Sequence, residues 1–159
     1  MASFKCRRKS NKAPIKRLEK LKKFKLSVGW FDATYEDGTP VSKVAMIQEF
    51  GAPEKNIPPR PFMRLANMEH NKEWADQMKQ DMKMVHKGTA KQIDVLNELG
   101  DTIIRDIRQS IMDVTTPPLK PNTIKNRQRK GNYSDKPLID TKRMFDTLDK
   151  RVEMVGGKR

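Results

Sequence analysis

Three of the chain's ten prolines fall within four residues, at Pro58, Pro59 and Pro61. Each fixes its own φ near about −65°, removes a backbone donor and pushes the residue before it toward extended geometry. A stretch so restricted can be neither helix interior nor central strand. It is a stiff connector, and it ends in a bulky apolar anchor, Phe62. Gly51 stops the patterned segment before it, and Met63 opens a long helical pattern after it. The connector therefore sets the angle between whatever lies on its two sides.

Upstream, Leu26 to Phe31 alternates as a strand, with Leu26, Val28 and Trp30 on one face. Asp37-Gly38 marks a turn, either a hairpin tip or a surface loop. Ser42 is placed to cap a helix from Lys43 to Phe50 striped by Val44 and Ile47. Downstream, Met63 to Val85 reads as a long helix with Trp74, Met78, Met82 and Val85 at helical spacing. That stripe faces a core or forms an adaptable methionine groove. Gly88 breaks the pattern and Thr89 caps a second long helix. There Ile93, Leu96, Gly100, Ile103, Ile107, Ile111 and Val114 share a face. A glycine inside a helix costs about 1 kcal/mol against alanine, so Gly100 signals a close approach by a neighbour. Thr116-Pro117-Pro118 ends this helix, and residues 122–131 form a short basic helix or a loop. Met144, Phe145 and Leu148 anchor the next segment. Lys150 to Val155 alternates as a last strand that can pair with Leu26–Phe31.

The net charge of +14 is concentrated at the two ends. Residues 1–25 hold eleven Lys/Arg against one Glu, and residues 117–159 hold twelve against five acids. Residues 26–116 hold eleven against fourteen, a slightly acidic body. Basic ends point to a polyanion or an acidic protein surface, or to a solvated arm. Pro14 can open a basic helix with Ile15, Leu18 and Leu21 on one face. Apolar content of 35% beside charged content of 34% leaves a small core, which suits a chain with arms or one completed by partners. The candidates for polyanion or acidic-partner contact are Lys5, Arg7, Arg8 and Lys9 at one end, and Lys125, Arg127, Arg129 and Lys130 at the other. Contact with nucleic acid would run through phosphates without sequence choice. No helix-turn-helix or zinc-finger pattern is present, and 6% aromatic content offers no stacking platform.

Catalytic patterns are missing. His70 and His86 fall on one helix, about 24 Å apart at 1.5 Å per residue, so they cannot share a metal. Cys6 is the lone cysteine, which rules out an intrachain disulfide or a cysteine zinc cluster. Asp32, Glu36 and Asp37 lack calcium-loop spacing. No glycine-rich phosphate loop opens a helix. An enzyme, a cofactor and a metal are therefore not expected. No apolar run approaches the roughly 18 residues of a membrane span.

Several segments, in order, resemble the tail-completion or neck proteins of long-tailed bacteriophages, a family at the head-to-tail junction. They are Val28-Gly29-Trp30-Phe31, Val44 through Gly51 with its Glu49-Phe50-Gly51 turn, and Ile57-Pro58-Pro59-Arg60-Pro61-Phe62-Met63-Arg64. Pro137-Leu138-Ile139-Asp140-Thr141, then Met144 and Leu148, complete the set. Lys142 stands where glycine usually follows the aspartate-threonine pair, and the basic N-terminal extension is not part of the family pattern. The resemblance spans about residues 26–155. It implies long helices packed on a short antiparallel sheet, which agrees with the elements read above. The expectation is an α+β domain over residues 15–159, with a basic loop near 117–137, preceded by a basic, flexible arm over 1–14.

The resemblance further implies a structural role in the virion, assembled in the host cytoplasm, as one layer of a usually sixfold homo-oligomeric ring. Its partners would be a connector or head-completion protein, a tail terminator or tail tube protein, and DNA in the lumen. Phe50, Arg60, Phe62 and Arg64 are the candidates for subunit or partner contact, with packing inside the junction as the other role for the two phenylalanines. The competing readings are a tail terminator capping the tube and a free, non-specific nucleic-acid-binding protein.

Overall fold

The structure is a computed structural model and describes residues 24–155. Lys5, Arg7, Arg8, Lys9 and the Ile15/Leu18/Leu21 face lie outside the described residues. The fold is α+β: helices packed on a small two-stranded antiparallel sheet. In chain order the elements are β1 (Phe24–Gly29), α1 (Val41–Phe50), a 3-10 turn (Pro53–Lys55), α2 (Phe62–Lys87), α3 (Gln92–Asp113), α4 (Pro121–Arg129), α5 (Arg143–Asp146) and β2 (Asp149–Met154). β1 pairs with β2 from Phe24↔Met154 to Gly29↔Asp149, so the first and last described elements meet.

α3 is the element on which the rest packs. Its apolar stripe buries Val95, Leu96, Leu99, Ile104, Ile107 and Ile111. Gly100 lies against the sheet: a Cβ there would stand 3.1 Å from Leu26 Cδ1 and 2.6 Å from Lys150 Cδ. The close approach signalled by this glycine is therefore the helix–sheet contact. Lys150 fastens it, donating to the Asn97 carbonyl at 2.8 Å and pairing with Asp101. On the other side α2 runs back along α3. Trp74 Nε1 donates to Asp106 Oδ2 at 2.7 Å, and Ser110 Oγ donates to the Phe62 carbonyl at 2.7 Å.

Phe62 is fully buried at the centre of the core, with Trp30 edge-on to it at 5.9 Å. Trp30 Nε1 donates to the Met144 carbonyl at 2.7 Å, which ties the end of β1 to α5. Leu138, Ile139, Met144 and Leu148 join the same cluster.

Several boundaries differ from the sequence expectation, each for a local reason. The ladder stops at Gly29 because Trp30 turns inward. α1 begins one residue before Ser42, after Pro40, whose fixed φ already suits a helix entrance. Thr89 does not open α3. It closes α2, with its N–H and Oγ both bonding to the Met84 carbonyl beside Gly88 at φ 81°. The Trp74/Met78/Met82/Val85 stripe is only half-buried, and α3 carries most of the core instead. The basic segment after Pro118 forms a helix, with Pro121 in its first turn.

Gly51 ends α1 at φ 78° and ψ 173°, a region open essentially to glycine alone. A Cβ there would meet Pro59 N at 2.9 Å and the Ile57 carbonyl at 3.0 Å, which are backbone atoms that cannot move aside. Gly131 shares the positive φ but faces open space. Gly51→Ala is expected to cost about 3 kcal/mol, from backbone strain plus the clash. Gly131→Ala should cost only about 1 kcal/mol, from strain alone. Urea denaturation of the two variants checks the difference; equal costs would mean that the connector does not press on Gly51.

Candidate interaction surfaces

The junction between α1 and α2 is built on a carboxylate. α2 opens behind Pro61, which has no side chain able to cap it. Glu49, one residue before the end of α1 and 4% exposed, reaches across to take this role. Its Oε2 accepts from the Met63 N–H at 2.9 Å, and its Oε1 from the Arg64 N–H at 3.2 Å. A negative charge at a helix N-terminus is also favoured by the helix dipole. Arg64 completes the arrangement, donating from Nε to Glu49 Oε1 at 2.9 Å and from Nη2 to the Glu49 carbonyl at 3.0 Å. Its guanidinium lies over the Phe50 ring at 5.1 Å.

Arg60 lies on the inner side of the connector and is 5% exposed. It donates from Nε to the Pro117 carbonyl at 3.0 Å, from Nη2 to Pro118 at 3.4 Å, and from Nη1 to Gln48 Oε1 at 3.3 Å. Its own N–H bonds to the Gln48 carbonyl at 2.7 Å. Arg60 thus holds the chain leaving α3 against the end of α1. Burial, and secondarily the charge of Arg127, hold its guanidinium below the usual arginine range.

These positions sort the sequence candidates. Phe62 and Arg60 serve the interior of this chain, so the partner-contact role expected for them gives way to packing and loop-clamping. Phe50 is 62% exposed and Arg64 lies largely at the surface, so both can meet a partner.

The basic helix divides in the same way. Arg127 is buried and donates to the carbonyls of Ser134, Lys136, Pro137 and Ile139 at 2.7–3.4 Å. Its Nε lies 3.3 Å from Asp140 Oδ1 but makes no directed bond, so that carboxylate contributes charge alone. Arg127 is therefore the pin of the 132–140 loop rather than a polyanion contact. Lys125, Arg129 and Lys130 are exposed. Among the described residues none of these three forms an ion pair with an acid. No acid occurs between Asp113 and Asp135, so the α4 face is uniformly positive. Tyr133, which follows α4 in the chain, is 79% exposed.

A second surface lies at the opposite charge. A groove of about 430 Å³ runs between the first turns of α2 and the end of α3. Pro61, Leu65, Met68 and Val114 line it, with Glu69 and Asp113 among its walls and no Lys or Arg. Leu65 and Met68 are 45% and 74% exposed. Among the described residues no group of three or more His, Cys, Asp or Glu converges as metal ligands would. Sequence reasoning missed Glu49 as a cap, because a glutamate at the end of one helix gives no sign that it serves the next. It also missed the groove, which forms only when α2 folds back on α3.

Comparison of the chain with known family models, curated proteins and solved structures returned no match.

Glu49→Ala would strand two N–H groups and the Arg64 charge, and is expected to cost about 2–3 kcal/mol. Glu49→Gln keeps one acceptor and should cost about half as much. Thermal unfolding of both variants tests the cap; an alanine variant as stable as the unaltered chain would show that Glu49 caps nothing.

Proposed function

We propose that this chain is a structural subunit of the neck of a long-tailed bacteriophage, a tail-completion component forming one ring around the DNA channel. The observation that carries the reading is the backbone of Lys142. The family resemblance calls for glycine at this position, after an aspartate-threonine pair. Lys142 adopts φ 58° and ψ −2°, the left-handed conformation that glycine takes without cost. The turn is thus of glycine type although the side chain is lysine.

A second support is spatial. The resembling segments are scattered along about 130 residues, yet they meet in one place. Glu49 caps the helix that Phe62 begins, Trp30 packs on Phe62, and Met144 accepts from Trp30. Ile139 and Asp140 surround Arg127. Residues that converge this way form a folding unit, and a chance sequence likeness has no reason to select them.

The ring would be homomeric, with a connector or head-completion protein on one side and a tail terminator or tail tube protein on the other. DNA in the lumen would meet basic surface through its phosphates, without sequence preference. Chemistry plays no part in this role. Among the described residues no helix is long and apolar enough to cross a membrane. The exposed cations of α4, with Tyr133 following in the chain, also fit a free nucleic-acid-binding protein, the second reading.

Gold labelling of a tagged copy in assembled particles separates the two. Label at the head–tail junction is expected; label confined to free protein, with unlabelled particles, would overturn the neck reading. Lys142→Gly should raise stability by about 0.5–1 kcal/mol, the relief of left-handed strain less the greater freedom of glycine when unfolded. Chemical denaturation measures it, and a loss of stability would remove the turn as support.

A further inference from the structure

The apolar groove and the basic face of α4 have opposite chemistry. The groove offers Leu65, Met68 and Val114 between two carboxylates, Glu69 and Asp113, with no cation in its lining. Asp113 is held by Gln109 through neutral hydrogen bonds at 2.9 and 3.0 Å, and Glu69 has only a 3.9 Å contact to His70, so both keep their charge available. Just past the end of α4, three residues after Lys130 in the chain, Tyr133 has 79% of its surface exposed. An exposed aromatic ring that follows two exposed cations, neither in an ion pair among the described residues, is the complement of an apolar groove flanked by two acids.

We infer that the occupant of this groove is a second copy of the chain, which inserts Tyr133 between Leu65, Met68 and Val114 and brings Arg129 and Lys130 against Glu69 and Asp113. This rests on the ring reading above and assigns the contact that would build the ring. Tyrosine suits the task because it buries about 150–250 Å² while its hydroxyl stays at a polar edge. The carboxylates fix which way the ring enters and exclude an incoming acidic surface. Asp135, two residues beyond Tyr133, and Asp140, whose Oδ1 accepts from Asn132 at 2.8 Å, leave residues 125–140 still net positive, five Lys/Arg against two acids.

The contact is heterologous, since groove and plug are different parts of the surface. Each copy therefore offers one of each, and a chain of such contacts either closes into a ring or continues as a filament. A single plug is a small interface, so one contact alone is weak and closure of the ring supplies the remainder. This use of α4 leaves Lys125, in the middle of the helix, for phosphate or another neighbour.

The test follows from the asymmetry. Tyr133→Ala removes the plug and Met68→Glu spoils the groove; both residues are mostly exposed, so circular dichroism should show an unchanged fold. In sedimentation over a concentration series, the full chain should self-associate, and each variant alone should associate roughly tenfold or more weakly. Mixed in equal amounts, the two variants still hold one intact plug and one intact groove between them. The mixture should form dimers and nothing larger. The charge-reversed pair Glu69→Lys with Lys130→Glu in one chain should recover association that either change alone loses.

Variants that assemble like the unaltered chain would overturn the inference while leaving the neck reading to the labelling experiment. A mixture that rebuilds full rings, or that at the top of the concentration series associates no more than either variant alone, would also overturn it. A full chain that stays monomeric throughout the series would overturn it too. Binding of duplex DNA by α4 that is lost in Tyr133→Ala, without any self-association, would assign this surface to phosphate instead.

Discussion

The long helix α2 starts behind a proline with no capping side chain, which leaves the Met63 and Arg64 N–H groups without a local acceptor, and the fold depends on how that deficit is met. Pro61 stands at the cap position, and the prolines before it contribute no donors of their own. Glu49 supplies the missing acceptor from the preceding helix. Once that carboxylate is in place, α1 and α2 cannot move independently. Gly51 must then take a conformation available only to glycine, because the chain has to leave α1 and return over its own end within about ten residues. Phe62 enters the core as a result, and Trp30 and the α5 turn close over it.

Two buried arginines extend the same logic to the second half of the chain. Arg60 and Arg127 spend their donors mainly on carbonyl oxygens. Burying a guanidinium is costly unless its donors are met, and a planar fork with five N–H groups is well suited to gathering several carbonyls from irregular backbone. Segment 116–118 has no buried side chain, and in 132–140 only Pro137, Leu138 and Ile139 are buried. Each segment has its backbone pinned by one arginine. A lysine at either position could not reach the same set of carbonyls.

This is also where the sequence was legible and where it was not. The helices, the paired terminal strands, the stop at Gly51 and the close approach at Gly100 all follow from periodicity and from the special backbone of glycine and proline. Those signals are local. Glu49 and Arg60 act over distances of 12 to 58 residues in sequence, and Arg127 over 7 to 12 residues through loop carbonyls that carry no pattern. Charge alone made Arg127 look like its neighbours Lys125 and Arg129. The difference lies in which face of a nine-residue helix turns toward the 132–140 loop, and with Ile124 as the only large apolar residue in that helix, periodicity has nothing to register. The methionine stripe of α2 misled for a related reason. Its spacing is right for burial, but α3 carries a denser stripe of β-branched residues and leucines, and the sheet packs there.

The distribution of charge constrains how copies of the chain can meet. Two α4 faces cannot be paired across a twofold axis, because that would bring Lys125, Arg129 and Lys130 against their own images. Two grooves paired the same way would confront Glu69 and Asp113 with themselves. Like charges brought together in a partly dehydrated contact cost far more than they do in water. Both isologous arrangements are therefore disfavoured by the same segregation of charge that favours groove against α4. A chain with an acid-flanked groove on one surface and a basic helix on another has two unlike contact surfaces. Contacts of one kind between unlike surfaces, repeated, generate rotation in a single direction, and closure of that rotation is what a channel-forming layer requires.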